Sequence, residues 1–194
     1  MKAVIFDLDG TLYSKHRLGI PLVLTEFFRG RLFMLIREQK VRKSLRGTEF
    51  PSEEAFYDAF FGKGVSKDWY YNTYMKDTMW LLYKYFKMRP WVKRIIPELR
   101  SRDIKIAVLS DYGFVWQKLE AIGFDPSWAD FVLDSPKAGA LKPSKAPFLL
   151  VAEALGVDPS DCVVVGDRED TDGMGAREAG MKFKLVTGDK APKL

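Results

Sequence analysis

Cysteine is almost absent from this sequence, and histidine is equally rare. The 194 residues include one cysteine, Cys162, and one histidine, His16. A lone cysteine cannot form an internal disulfide, so a reducing compartment and a cytoplasmic location are predicted. Cys162 stands in an apolar run and is predicted to pack inside a strand. His16 is flanked by two basic residues and is predicted to face solvent.

Long hydrophobic runs are also missing. No stretch approaches 18 uncharged apolar residues, and the nearest, Ile20 to Ile36, is interrupted by three charged side chains. A membrane-spanning helix is therefore not predicted. The apolar run at the N-terminus is cut by Asp7 and Asp9 after a few residues, so it is not expected to act as a signal peptide.

What the chain does contain is typical of a globular protein with a basic segment. Hydrophobic residues make up 47% of it and charged residues 29%, with a net charge of +5. Residues 13–90 carry 15 Lys and Arg against 8 Asp and Glu, whereas the remainder carries 16 against 18. Such a segment could attract an anionic substrate, a nucleic acid or an anionic lipid, or could simply be a solvated helix surface. Homo-oligomer formation is left open.

Short apolar runs alternate with helical patterns over most of the chain. Runs rich in Val and Ile that are apolar on both faces are typical of buried parallel strands. The pattern predicts an α/β fold, a Rossmann-like, doubly wound parallel sheet. The predicted strands are Ala3–Phe6, Ile104–Leu109, Phe131–Leu133, Cys162–Val165 and Phe183–Val186. The predicted helices between them are Trp91–Ser101, Val115–Ile122, Lys145–Leu155 and Gly173–Ala179.

The segment after the first predicted strand has a different sequence pattern. Residues 14–89 contain no convincing strand, and apolar residues recur there at helical spacing. Ser52 followed by two glutamates predicts a helix start. We therefore predict a catalytic core of residues 1–13 and 90–194 with an all-helical cap of residues 14–89. The hinges are expected near Tyr13–Ser14 and Met88–Pro90. The many aromatic residues between 69 and 91 could stack against bases or a ligand, but helix packing is the preferred interpretation.

Two carboxylates follow the first predicted strand directly. Because side chains alternate along a strand, Asp7 and Asp9 project from the same side of its C-terminal end. Gly10 then allows a sharp turn. Ligands of open α/β sheets bind beyond the carboxyl ends of the strands. Two carboxylates at about 4 Å repel by roughly 4 kcal/mol at an effective dielectric constant of about 20, so a cation is needed there.

The sequence offers two sources of positive charge for this edge. One is Lys142, which is expected at a helix start. The other is a metal ion, because a second apolar strand ends in Asp167, with Asp170 and Asp172 close behind. Hard carboxylate oxygens of this kind favour Mg²⁺. A third strand ends at Ser110, whose hydroxyl can donate to a phosphate oxygen.

These residues together resemble the haloacid dehalogenase-like hydrolase superfamily. The similarity covers the whole core and consists of four motifs in the right order and spacing. The segment 14–89 resembles the helical cap of that family in position and helicity. The matching residues are Asp7-Leu8-Asp9-Gly10-Thr11 for the first motif, Ser110 for the second, Lys142 for the third, and Asp167 with Asp172 for the fourth.

The resemblance implies a phosphoric monoester hydrolase that works through an aspartyl phosphate, so the predicted partner is a small phosphorylated substrate and not a nucleic acid. Asp7 would attack phosphorus, and Asp9 would protonate the leaving alkoxide and later take a proton from water. Ser110 and Lys142 would bind the transferring phosphoryl group. The family's dehalogenases lack an acid at the position of Asp9, and its P-type ATPases carry threonine there, so both activities are disfavoured.

The same resemblance implies a Mg²⁺ cofactor. The ion would be bound by the carboxylates of Asp7 and Asp167 and by the backbone carbonyl of Asp9, with Asp172 supporting the site. Asp170 is expected to face water. Two other functions stay open: a phosphomutase acting on a sugar phosphate, and a binding module that uses the basic helical segment.

Asp111 is a departure from the family pattern. It follows the second motif where the family often has asparagine, and it adds negative charge beside the predicted phosphate site. Two interpretations are open, that the carboxylate points away from the site or that it tunes substrate choice. We prefer the first.

Overall fold

A computed structural model describes residues 1–194, apart from the side chains of His16 and Arg17. The prediction that His16 faces solvent therefore lies outside the described part of the chain. Among the described residues, no helix has both the length and the apolar character needed to cross a bilayer.

The described strands form one parallel sheet of five, in the order β3-β2-β1-β4-β5. The central strand β1 is buried throughout and pairs with β2 on one side and β4 on the other. This arrangement confirms the predicted α/β fold with a doubly wound parallel sheet. The strands are β1 (Ala3–Asp7), β2 (Lys105–Ser110), β3 (Phe131–Asp134), β4 (Cys162–Gly166) and β5 (Lys182–Leu185).

Helices cover both faces of the sheet. Alternation along β1 sends Val4 and Phe6 into one apolar cluster and Ala3 and Ile5 into another on the opposite face. Both faces are therefore buried, which explains why these strands are continuously apolar. The helices are α1 (Lys15–Phe28), α2 (Leu32–Ser44), α3 (Glu53–Gly62), α4 (Lys67–Trp69), α5 (Met75–Tyr85), α6 (Val92–Ser101), α7 (Val115–Ala121), α8 (Ala146–Leu155) and α9 (Met174–Glu178). π-Helical turns occupy Tyr70–Tyr74 and Glu169–Gly173.

Helices α1 to α5 form an insert between β1 and the rest of the sheet. Ser52 caps α3 as predicted, because its hydroxyl accepts a hydrogen bond from the Ala55 amide at 3.2 Å. The segment that enters the insert and the segment that leaves it lie side by side, since the Arg89 amide donates to the Leu12 carbonyl at 2.8 Å. The Arg89 guanidinium also donates to the Gly10 carbonyl at 3.0 Å. The division into a core and a cap with boundaries at 13/14 and 89/90 stays a prediction.

The aromatic residues of the insert fall into two groups. Trp69, Tyr70 and Tyr74 are buried and pack against one another or against Phe60 of α3, so the packing interpretation holds for the first half of this segment. Trp80 and Tyr85 are more than half exposed and contact each other at the surface, so packing in the core does not account for them.

Candidate active site

The carboxyl ends of β1, β2 and β4 bring the predicted site residues to one edge of the sheet. Because these neighbouring strands are parallel, the residues that end them lie side by side. The loop before α8 and the π-helical turn before α9 complete the cluster. The predicted residues that meet here are Asp7, Asp9, Ser110, Lys142, Asp167 and Asp172.

Lys142 lies between two of the carboxylates. Its Nζ is 2.7 Å from Oδ1 of Asp7 and 2.6 Å from Oδ1 of Asp172. The other Asp7 oxygen accepts a hydrogen bond from the Thr11 hydroxyl at 2.7 Å. Asp7, Asp172 and Lys142 are all buried. One ammonium group therefore compensates two buried carboxylates, which leaves the cluster with excess negative charge.

That excess is reflected in the proton affinities. Burial raises the pKa of Asp7 from 3.8 to about 7, despite the opposing effect of Lys142, and Asp172 and Asp167 raise it further. Burial likewise raises the pKa of Asp172. Burial alone would lower the pKa of Lys142, but the carboxylates of Asp172 and Asp7 outweigh it and hold this pKa well above 10.5. Lys142 is thus charged at neutral pH, while the two carboxylates compete for protons or for a cation.

The donor set at this edge fits a divalent cation. Oxygens of Asp7, Asp167 and Asp172 all lie within 4.8 Å of one another. A cavity of about 30 Å³ opens among these side chains, Lys142 and Asp111. Hard carboxylate oxygens with little charge compensation are suitable ligands for Mg²⁺.

Gly10 allows the chain to turn this close to the acidic cluster. Its φ is +113°, in the region that favours glycine, and a Cβ there would overlap the carboxylate of Asp167. Lys15, at the start of α1, forms an ion pair with the same carboxylate at 2.7 Å. The turn after β1 thus brings the backbone of Gly10 close to Asp167, and the start of α1 places a second ammonium group, that of Lys15, beside the same carboxylate.

Asp9 has a separate set of partners. Its Oδ2 accepts a hydrogen bond from the Ser110 hydroxyl at 2.6 Å, and its Oδ1 accepts one from the Tyr13 hydroxyl. The Nζ of Lys118 is 3.1 Å from Oδ1 and 3.3 Å from Oδ2. Burial by itself would raise the pKa of Asp9, but Lys118 and these hydrogen bonds outweigh it, so the pKa lies below 3.8. Asp7 and Asp9 are only two residues apart, yet their surroundings raise the pKa of Asp7 and lower the pKa of Asp9.

Sequence reasoning included Thr11 in the first motif without giving it a role, and it missed Tyr13 and Lys118 as partners of Asp9. The spacing of four residues from Asp7 to Thr11 and from Asp9 to Tyr13 was an available signal. Lys118 had no comparable signal, because a lysine on a short helix is usually solvated. In the structure it is buried and lies over the ring of Tyr112.

Asp111 does not point away from the site, contrary to the preferred interpretation. Its carboxylate accepts a hydrogen bond from the Lys142 amide at 3.0 Å, and its carbonyl accepts one from the Arg42 guanidinium at 2.7 Å. Arg42 belongs to the helical insert and is buried with Glu38, to which it is bonded at 2.7 Å. Asp111 therefore links the insert to the loop that carries Lys142. Asp170 faces solvent and pairs with the Arg168 guanidinium.

Comparisons with known proteins agree with this geometry. Residues 1–180 match the family model described as haloacid dehalogenase-like hydrolase. A glyceraldehyde 3-phosphate phosphatase of Methanopyrus kandleri is 27% identical, over 93% of this chain and 82% of that protein. A phosphoglycolate phosphatase of Aquifex aeolicus is 26% identical, over 96% of this chain and 84% of that protein. The crystal structure of a HAD phosphatase from Thermococcus onnurineus superposes with a TM-score of 0.62 at 28% identity, covering 98% of this chain and 89% of that one.

The chain belongs to the haloacid dehalogenase-like hydrolases. Within that family it is an enzyme of the phosphatase type, a phosphoric monoester hydrolase with a helical insert after its first strand.

Proposed function

We propose that this protein is a Mg²⁺-dependent phosphatase that hydrolyses a small phosphorylated metabolite through an aspartyl phosphate on Asp7. The observation that carries the proposal is the cluster in which Lys142 and two further carboxylates surround the buried carboxylate of Asp7. The names of the relatives, phosphatases for glyceraldehyde 3-phosphate and for phosphoglycolate, support a small phosphate ester as substrate.

Asp7 is the proposed nucleophile. A carboxylate oxygen forms a bond to phosphorus while the ester bond to the alkoxide oxygen breaks. The Thr11 hydroxyl and the Lys142 ammonium fix the orientation of the carboxylate from two sides. Lys142 also compensates the repulsion between the nucleophile and the phosphate dianion.

Asp9 is the proposed acid and base. It gives a proton to the leaving alkoxide in the first step and takes one from the attacking water in the second. The charge of Lys118 and the hydrogen bonds from Ser110 and Tyr13 together hold Asp9 in its ionised form. In the proposed scheme a bound phosphoryl oxygen takes over the Ser110 hydroxyl, which removes one donor from Asp9 and raises its pKa, so that Asp9 takes up a proton from solvent before it donates that proton to the leaving alkoxide.

The proposed metal ligands are the carboxylates of Asp7 and Asp167 and the backbone carbonyl of Asp9, with Asp172 supporting them. When bound, Mg²⁺ supplies electrostatic stabilisation of the phosphoryl oxygens. The protein's own contribution is to hold three carboxylate oxygens within 4.8 Å of one another before the ion arrives.

The proposal is tested by removal and return of the metal. Chelation with EDTA should stop release of phosphate from p-nitrophenyl phosphate, and Mg²⁺ should restore it. The raised pKa of Asp7 means that the folded state binds this proton more tightly than the unfolded chain does, so protons and metal compete. Mg²⁺ should therefore raise the unfolding midpoint more at about pH 8 than at about pH 5.

The controls separate the competing functions. Turnover that is indifferent to EDTA would contradict the metal site, as would an unfolding midpoint unchanged by Mg²⁺ at either pH. Product analysis with a hexose phosphate distinguishes the phosphomutase alternative, which would yield an isomeric ester and little free phosphate.

A Lys118→Met variant tests the environment of Asp9. Removal of one partner of this buried pair should lower the free energy of unfolding by about 1–3 kcal/mol. The pKa of Asp9 is lowered in the folded state, so its stabilising contribution is present above pH 3.8 and is lost as the pH falls through the folded-state pKa. The difference between variant and parent in urea unfolding should therefore be largest near neutral pH and shrink toward about pH 3.

The matched control for this experiment is Lys76→Met, which removes an exposed lysine from α5. Its free energy of unfolding should stay within about 0.5 kcal/mol of the parent. Equal effects of the two substitutions, or a Lys118→Met effect that does not change with pH, would show that Lys118 does not stabilise ionised Asp9.

A further inference from the structure

A second, larger cavity adjoins the catalytic one. Its volume is about 360 Å³, within the range of small-molecule sites. It lies between helices α1, α2 and α5 of the insert and the loops that end β1 and β2. The two cavities share the side chains of Asp9, Lys15, Arg46, Tyr112 and Arg168. A phosphate ester bound at Asp7 would therefore direct its organic group into this larger space.

The walls of the larger cavity away from Asp9 are mainly hydrocarbon. Leu18, Leu22, Leu35 and Met75 are among the side chains that line it, and all four are buried. They come from three different helices of the insert, so the apolar lining extends around the space and not along one side of it. Such a wall favours an apolar ligand group over a hydrated one.

Three of the hydrogen-bond donors along the same walls are already engaged. The Thr78 hydroxyl donates to the Tyr74 carbonyl at 2.8 Å, and the Gln39 amide donates to Glu38 at 2.8 Å. The Tyr13 hydroxyl donates to Asp9. A sugar hydroxyl entering this space would give up its bonds to water, and these three donors are committed elsewhere.

Positive charge is concentrated at the boundary between the two cavities, and Lys118, which lines only the larger one, is paired with Asp9. Lys15, Arg46 and Arg168 lie at this boundary, and the Nε of Arg46 is buried without a hydrogen-bond partner among the described residues. An anionic head group is therefore attracted to the end near Asp7, while the walls formed by the insert offer mainly apolar contact.

From this division we infer that the enzyme's preferred substrates are phosphate monoesters with an apolar organic group, such as a short alkyl chain or a ring without hydroxyl groups. The inference rests on the proposed phosphatase function and narrows it. It sets this chain apart from the relatives named for glyceraldehyde 3-phosphate and phosphoglycolate, whose esters are small and polar.

The first test compares n-hexyl phosphate with glucose 6-phosphate. Both have six carbons and a primary alkoxide leaving group, so their intrinsic reactivities are similar and the hydroxyl groups are the main difference. With Mg²⁺ present, kcat/KM for n-hexyl phosphate should exceed that for glucose 6-phosphate by about tenfold or more. Equal values, or a preference for the sugar ester, would overturn the inference.

The second test changes the cavity wall. Leu35→Asn places an amide in the apolar lining, and Leu35→Met keeps the wall apolar at similar volume. The ratio of kcat/KM for n-hexyl phosphate to kcat/KM for glucose 6-phosphate should fall about fivefold or more in Leu35→Asn. It should stay near the parental ratio in Leu35→Met. Because the ratio is taken within one preparation, it does not depend on how much of a variant is folded.

The outcomes distinguish this inference from the proposed function. If Leu35→Asn keeps the parental ratio of kcat/KM for the two esters and still releases phosphate, the inference is overturned and the phosphatase proposal stands. Failure to release phosphate from either ester and from p-nitrophenyl phosphate overturns the phosphatase proposal and the inference with it.

Discussion

An Asp7→Asn variant is expected to lose phosphatase activity by about a thousandfold or more in kcat. The amide is nearly the same size as the carboxylate but is a very poor nucleophile toward phosphorus. It also removes one proposed ligand of Mg²⁺ and one of the two carboxylates bonded to Lys142. Release of inorganic phosphate from p-nitrophenyl phosphate, measured under saturating Mg²⁺, gives the result directly.

The same substitution should not unfold the protein. It removes a buried negative charge from a cluster in which Asp172 and Asp167 disfavour that charge, so the unfolding midpoint of the metal-free variant should equal or exceed that of the parent. Asp170→Asn is the matched control, since it removes the same charge from an exposed side chain nearby and should keep activity close to parental. Substantial turnover by well-folded Asp7→Asn would show that another group attacks phosphorus.

A Lys142→Met variant is expected to lose both turnover and stability. Its Nζ is the ammonium group shared by Asp7 and Asp172, and its removal leaves two buried carboxylates without that partner. Breaking a buried pair in this way costs about 3–5 kcal/mol, and this loss of unfolding free energy should be seen in metal-free protein near about pH 8.

The pH dependence of this variant has a definite sign. Without Lys142, the pKa values of Asp7 and Asp172 rise further above 3.8, because Lys142 is the group that lowers them in the parent. The folded variant then binds protons more tightly than the unfolded chain, so its stability falls as the pH rises from about 4 toward 8. Mg²⁺ should return part of the lost stability at the higher pH, because a cation can compensate the same carboxylates.

Lys145→Met is the control for this loop. Lys145 lies three residues after Lys142, is exposed and directly precedes α8, so its replacement should leave both the unfolding curve and turnover unchanged. The role given to Lys142 would have to be abandoned if Lys142→Met matched this control in stability at high pH and still turned over substrate.

Much of the fold could be predicted from the sequence because buried parallel strands have a simple pattern. All five predicted strands exist, with ends shifted by at most one residue. The inner strands β1, β2 and β4 are apolar on both faces, whereas the edge strand β5 alternates lysine with Phe183 and Leu185 and is largely exposed. The last helix was predicted to within one residue at each end, whereas the turn before it was not predicted. The predicted Gly173–Ala179 is preceded by a π-helical turn over Glu169–Gly173, and a wide turn has no period that apolar spacing reveals.

The acidic part of the site was predictable and its cationic part only partly so. Asp7, Asp9 and Asp167 stand at or just after the ends of apolar strands, and Asp172 lies in the turn that follows β4, which places all four at one edge of a parallel sheet. The contacts of Lys118 and Arg42 depend on how helices pack against the loop after β2, and single-sequence spacing contains no information on that packing. The carboxylate of Asp111 was misread for the same reason, because its partner is a backbone amide 31 residues away.

The rarity of cysteine has a practical consequence for measuring motion of the helical insert. Cys162 is a buried free thiol in β4, and burial raises its pKa to about 11, so it should react slowly with maleimide labels near neutral pH. Cysteines introduced at exposed Lys76 on the insert and Lys182 on the sheet would then be the only reactive thiols. A fluorophore pair at those positions would follow the distance between insert and sheet, with and without substrate, in a chain that needs no prior removal of native thiols.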